Sequence, residues 1–81
     1  MSYFVYILKC ADGTLYTGIA KDVNKRVNEH NSSQKGAKYT KYRRPVELMY
    51  TEESQDRSSA SKREYEIKQL KREDKMRLFN D

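Results

Sequence analysis

Eight residues near the start, Tyr3-Phe4-Val5-Tyr6-Ile7-Leu8-Lys9-Cys10, constrain this chain more than any other segment. Aromatic and β-branched side chains dominate them, which favours extended backbone. Successive side chains of a strand point to opposite faces, and here both alternating sets are apolar. A strand of that kind has to be covered on both sides, so it reads as the central strand of a sheet. A chain of 81 residues has room for one core and no second. One domain over residues 1–81 is therefore expected, and small size makes its stability modest.

Ala11-Asp12-Gly13 is the turn after this strand, and Thr14 to Ala20 is the return strand. The length of the turn decides where two tyrosines point. A two-residue Asp12-Gly13 loop would pair Cys10 with Leu15 and put Tyr6 and Tyr16 on opposite faces. A three-residue loop, with Gly13 in the left-handed region, pairs Cys10 with Thr14 and Tyr6 with Gly18. Both tyrosines then share a face, because a one-residue shift of register inverts every side chain. The three-residue loop is the expectation.

Asp22 is a good N-cap for a helix through about Asn31, with Val23 and Val27 on its buried side. Asn31-Ser32-Ser33 ends it, and the basic segment through Arg44 reads as an irregular loop. Pro45 opens a third strand, Val46 to Thr51, with Val46, Leu48 and Tyr50 on one face; a proline there suits a sheet edge. Ser54 or Asp56 caps a longer helix to about Arg72. A last short helix near Asp74 to Phe79 is expected to fold Met76, Leu78 and Phe79 back on the body. The element order is β-β-α-β-α-α.

A single cysteine, Cys10, rules out an internal disulfide and suits a reducing compartment; in a strand it reads as a small packed side chain. No apolar run reaches membrane-spanning length, and Met1-Ser2-Tyr3-Phe4 has no signal-peptide character, so a cytoplasmic protein with no membrane partner is expected. Net charge is +5, all of it from the first fifty residues, which hold nine Lys/Arg against four Asp/Glu. Five of those nine, Lys35, Lys38, Lys41, Arg43 and Arg44, fall in one stretch without an acid, interleaved with Tyr39 and Tyr42. Clustered cations bind a polyanion by releasing its counterions, and aromatic faces stack on unpaired bases. Nucleic acid is thus the candidate partner for these seven residues, against the alternative of a solvated basic loop.

Five positions could carry chemistry. Glu64 falls at the edge of the inward stripe Ala60, Ile67 and Leu70. A carboxylate there needs a cation, either a metal ion or a neighbouring lysine or arginine, and periodicity leaves both open. Arg26 and His30 stand four apart, on one side of their helix beside Val23 and Val27. An arginine fork could hold a phosphate oxygen, and the lone histidine could take a proton or donate to a phosphate; an exposed helix face is the alternative. Tyr6 and Tyr16 are by default packing aromatics, and Gly18 opposite Tyr6 leaves space for close approach of a phosphate backbone. A tyrosine near pKa 10 used as general base would need help from a metal-bound water or from Arg26.

The ordered set resembles the GIY-YIG endonuclease family. Tyr16-Thr17-Gly18 matches the second motif; Phe4-Val5-Tyr6 stands in place of Gly-Ile-Tyr, keeping the tyrosine. Similarity runs from Tyr3 to about Leu78 and is greatest to small stand-alone bacterial members, whose character is visible in Gly36-Ala37-Lys38-Tyr39-Thr40 and Arg43-Arg44-Pro45-Val46. The resemblance implies an α+β fold, a three-stranded antiparallel sheet flanked by helices, and one divalent metal, Mg²⁺ or Mn²⁺. It implies that Glu64 is the metal ligand, Arg26 the phosphate-stabilising arginine, Tyr16 the general base on a metal-activated water, and Tyr6 an orienting hydroxyl. His30 aligns with a histidine found in a subset, while Ile19 stands where some relatives carry a lysine. The expected products are a 5′-phosphate and a 3′-hydroxyl.

Two functions follow as alternatives. One is a metal-dependent DNA endonuclease, selective for substrate structure and acting in DNA repair or processing. The other is a nucleic-acid-binding module that keeps the fold without efficient cleavage. Nothing in the chain reads a base sequence, so a partner protein for targeting is compatible with either. DNA against RNA and oligomeric state stay open.

Overall fold

The computed structural model of the protein describes residues 2–32 and 38–80. Its three strands, β1 (Tyr3–Lys9), β2 (Leu15–Ala20) and β3 (Glu47–Ser54), form one antiparallel sheet in the order β2-β1-β3. β1 is central, as its doubly apolar pattern requires. On one face Val5 and Ile7 pack against Ala60 and Ile67 of helix α3 (Arg57–Gln69), with Leu15, Ile19 and Tyr50 around them. On the other, Tyr6, Leu8 and the free thiol of Cys10 pack with Val46, Leu48 and Tyr16 beneath Val23 and Val27 of helix α1 (Val23–Ser32). Val5, Ile7, Leu8 and Ile67 have no solvent exposure, and each such side chain contributes about 1.5–3 kcal/mol over an exposed one.

The hairpin takes the three-residue turn. Cys10 N–H donates to the Thr14 carbonyl at 2.8 Å, and Gly13 N–H to the Cys10 carbonyl at 2.9 Å. Gly13 has φ +85°, which a side chain would oppose. Asp12 Oδ1 accepts from Thr14 N–H at 3.1 Å and closes the turn. Tyr6 is consequently paired with Gly18, and Leu8 with Tyr16.

β3 departs from its expected phase. Ile7 pairs with Tyr50 but Leu8 pairs with Leu48, so Met49 is an extra residue at a bulge. Val46 and Leu48 therefore lie on the α1 face and Tyr50 on the α3 face, not all on one. The strand also runs on to Ser54, because β1 offers pairing as far as Tyr3.

Asp22 Oδ1 accepts from Lys25 N–H at 3.1 Å and starts α1. At its end Asn31 donates to the Val46 carbonyl at 3.1 Å and accepts from Val46 N–H at 2.7 Å, which ties α1 to the approach of β3. Lys38–Lys41 form a single helical turn, α2, where an irregular loop was expected. Tertiary contacts stabilise it: Thr40 is fully buried and Tyr39 lies on another aromatic ring.

Asp56, not Ser54, caps α3, accepting from Ser59 N–H at 2.8 Å. α3 stops at Gln69 rather than near Arg72, since Leu70 and Lys71 turn extended before α4 (Arg72–Arg77). That break lets Leu78 and Phe79 return to the Val5 core. Arg63 braces α3 against β3: its Nε donates to Glu52 Oε2 at 2.8 Å, and Glu52 Oε1 accepts from the Tyr50 hydroxyl at 2.6 Å. Among the described residues no helix is long and apolar enough to cross a membrane.

Candidate active site

The pairing of Tyr6 with Gly18 sets the geometry of the site. The Tyr6 ring leaves central strand β1 and lies over β2, where residue 18 has no side chain. A Cβ there would stand 2.6 Å from Tyr6 Oη, 2.7 Å from Tyr6 Cζ and 3.2 Å from Tyr16 Cε2. The space expected for a phosphate backbone is thus filled by the two tyrosines themselves. Their ring centroids are 6.4 Å apart.

α1 brings His30 to the same place. Its Nε2 lies 2.8 Å from Tyr6 Oη, and its Nδ1 lies 2.8 Å from Thr40 Oγ1 of α2. The imidazole meets the Tyr16 ring edge-on at 5.2 Å. Tyr6 is 1% exposed and His30 and Thr40 are 0% exposed, so the three form a buried polar row. Burial first, then the Arg26 charge, brings the imidazole down to about 4, against the opposing pull of Glu29. It is neutral at physiological pH and carries one ring N–H. One of its two hydroxyl partners therefore accepts from the ring and the other donates to it. Burial also pushes the Tyr6 phenol up to about 12, helped by Tyr16 and opposed by Arg26.

Arg26, one turn before His30, places Nη1 3.0 Å from Glu29 Oε1, and its guanidinium also acts on the Tyr6 hydroxyl. Glu64 approaches from α3, close enough that its charge raises the Tyr6 pKa further. Its side chain is 22% exposed, and its carboxylate pairs with Lys68 Nζ at 3.1 Å. Four of the expected residues, Tyr6, Tyr16, Arg26 and His30, thus meet on one face, with Glu64 within electrostatic reach. Among the described residues the Tyr16 hydroxyl makes no hydrogen bond.

The basic segment divides into two kinds of residue. Lys38 and Lys41 are exposed, and Tyr42 is 84% exposed with Lys41 Nζ 5.6 Å from its ring centroid. Tyr39 instead stacks on Tyr16, Arg43 pairs with Asp12, and Arg44 Nε donates to the His30 carbonyl at 2.5 Å. Lys35 lies outside the described residues. Thr40, the second partner of His30, and Asp12, the partner of Arg43, were not singled out from sequence. A neutral hydroxyl inside an otherwise charged and aromatic run was the available signal for Thr40.

The divalent cation implied by the resemblance would meet a sparse donor set. Among the described residues no group of three or more His, Cys, Asp or Glu side chains could hold a metal ion. A single half-buried carboxylate suits Mg²⁺ or Mn²⁺ all the same, since Mg²⁺ keeps several waters and completes its shell with substrate phosphate. Glu64 fits that use once it exchanges Lys68 for the ion.

Comparison with known proteins places these residues in context. The model of the GIY-YIG catalytic domain matches residues 2–78. A UPF0213 protein of Staphylococcus aureus (strain Mu3) is 61% identical over 80 residues, covering 99% of this chain and 96% of that protein. The solution NMR structure of a UPF0213 protein from Bacillus halodurans matches with a TM-score of 0.60 at 45% identity, over 96% of this chain and 82% of that one. The solution NMR structure of a protein from E. faecalis matches with a TM-score of 0.65 at 40% identity, over 95% and 81% respectively. The α+β architecture is common to this chain and both solved structures.

Proposed function

Because the chain belongs to the GIY-YIG family, a family of nucleases, we propose that it is a divalent-metal-dependent endonuclease that hydrolyses DNA phosphodiester bonds. We further propose that it selects substrate by structure and serves DNA repair or processing. The observation that carries this reading is the convergence of Tyr6, Tyr16, Arg26 and His30 on one face, with Glu64 acting on Tyr6. An inert scaffold would not need two tyrosines packed over one glycine with an imidazole against them and a guanidinium acting on one of them.

In this mechanism a water attacks phosphorus in line with the leaving 3′ oxygen, giving a 5′-phosphate and a 3′-hydroxyl. The Arg26 fork holds a non-bridging oxygen and stabilises the charge that develops there. Tyr16 acts as general base in its phenolate form, taking the proton of the attacking water, and solvent water protonates the departing 3′ oxygen. The raised pKa of Tyr6 keeps it a neutral phenol, so it orients water or phosphate by hydrogen bonding. Both ring nitrogens of His30 are engaged inside the protein, so it acts through Tyr6, fixing the direction of that hydroxyl. Glu64 would hold a Mg²⁺ or Mn²⁺ ion, which would supply Lewis acidity at the phosphate. Lys38, Lys41 and Tyr42 form the exposed surface that holds the strand.

The test is cleavage of labelled single strands, duplex, flaps, forks and four-way junctions, with Mg²⁺, Mn²⁺ or chelator, by the protein and by Arg26→Ala and Glu64→Ala. Metal-dependent cuts lost in both variants support the reading, and cuts unchanged in both refute the site. The ion pair between Glu64 and Lys68 favours a second reading, a binding module that does not cut. Tight, salt-sensitive binding without cleavage, surviving both substitutions, would select it.

A further inference from the structure

We infer that Tyr39 and Arg43, backed by Asp12, are positioning residues for Tyr16 and not contacts for a phosphate backbone; this deepens, and rests on, the nuclease reading. The three form a layered stack against the Tyr16 ring. The Tyr39 ring lies 5.8 Å from that of Tyr16, centroid to centroid, with the planes 29° apart. The Arg43 guanidinium covers the Tyr39 ring, its Cζ 4.1 Å from the centroid.

Arg43 is held on several sides. Its Nη1 donates to the Tyr39 carbonyl at 2.7 Å and its Nε to Asp12 Oδ2 at 3.1 Å. Its backbone N–H donates to the Thr40 carbonyl at 3.0 Å, and its carbonyl accepts from Ala11 N–H at 2.8 Å. An arginine that binds phosphate presents its fork to the ligand. Here two edges of the fork are engaged within the chain, and an acid from another segment already balances the charge.

The partners explain the direction of the effect. Asp12 and Ala11 belong to the turn between β1 and β2, the hairpin whose second strand carries Tyr16. Arg43 follows α2, which carries Tyr39. The ion pair and the backbone bond therefore join the two segments that bear the stacked rings. β2 is an edge strand, so its neighbouring sheet fixes the Tyr16 ring from one side alone. His30 meets that ring edge-on and Tyr39 meets it on its face, which together select one orientation for the hydroxyl.

The test uses the full chain and the variants Asp12→Asn, Arg43→Gln, Tyr39→Leu and Tyr39→Phe. For a short oligonucleotide, kcat and KM are measured separately, and binding is followed as a function of salt. Positioning predicts that Asp12→Asn and Arg43→Gln act in the same direction, each lowering kcat about tenfold, with KM and the salt slope unchanged. Tyr39→Phe, which keeps the ring, restores most of what Tyr39→Leu loses. Were Arg43 a phosphate contact, Arg43→Gln would weaken binding and reduce the salt slope by about 0.7–0.9, while Asp12→Asn would tighten binding by releasing the cation. That opposite pair of responses overturns the inference. A protein that cuts nothing would refute the nuclease reading alone. NMR signals of the Tyr16 ring then decide this one: displaced in both Asp12→Asn and Arg43→Gln they support it, and unmoved in both they refute it.

Discussion

The Tyr6 hydroxyl stands 2.6 Å from the point where a Cβ on residue 18 would lie. The phenol is not free to swing away, because it is buried and bonded to His30. Gly18→Ala is therefore expected to cost about 1–3 kcal/mol of stability, the range for overpacking a filled core. It should also displace the Tyr6 hydroxyl and abolish cleavage. Urea denaturation with a cleavage assay checks both; a variant of unchanged stability would show that Tyr6 moves easily.

Protonation of His30 should make the fold sensitive to mild acid. Its native pKa is about 4 against an ordinary 6.5, so between those values the unfolded chain binds a proton that the native chain refuses. Stability is then lost as pH falls through this window, by at most about 3 kcal/mol. Above pH 6.5 both states are neutral and the effect vanishes. Denaturation between pH 7.5 and 4.5 should show the decline, and His30→Gln should flatten it. A slope unchanged in that variant would assign the acid sensitivity to another group.

The Lys68 ammonium lies 3.1 Å from the Glu64 carboxylate, so under the proposed mechanism it would compete with the metal ion for that side chain. Lys68→Ala should lower the Mg²⁺ concentration needed for half-maximal cleavage. A pair of this kind, with the Lys68 end open to solvent, is worth about 0–1 kcal/mol, so the change is at most about fivefold. A metal titration of cleavage by both proteins measures it. A requirement that rises on removal of Lys68 would place the ion elsewhere.

Substrate binding should divide along the basic segment. Lys41→Ala is expected to weaken binding to all sequences alike and to reduce the salt slope by about 0.7–0.9. Tyr42→Ala should leave that slope intact but weaken binding to single strands or flaps by about 1–3 kcal/mol, the worth of one base stacked on an aromatic ring. Fluorescence anisotropy across a salt series separates the two. Equal losses on duplex and single strand for Tyr42→Ala would remove its stacking role.

Much of this arrangement was legible in the order of residues. Apolar alternation on both sets made β1 central, and Gly13 made the turn three residues long, which carried Tyr6 and Tyr16 to one face. Local rules sufficed there, because a strand and its turn are specified by neighbours in sequence. The departures came from distant contacts. No propensity places an extra residue at Met49, because the bulge is set by pairing with β1. The turn at Lys38–Lys41 exists because Thr40 reaches His30 and Tyr39 reaches Tyr16. The ion pair of Arg43 with Asp12 spans thirty-one positions and leaves no periodic trace.

Met49 has one more effect. A strand that paired Met49 regularly would put Val46, Leu48 and Tyr50 on one face. With Met49 at the bulge the phase changes midway, so that one strand is a wall for the tyrosine layer up to Leu48 and a brace for the opposite layer from Tyr50 onward. The brace is specific: Tyr50 and Glu52 hold Arg63, the residue next to Glu64. The two halves of the candidate site, tyrosines on one layer and carboxylate on the other, are thus gauged against each other by a single strand. Absorbing that one residue into regular pairing would leave every motif in the sequence intact and take the gauge away.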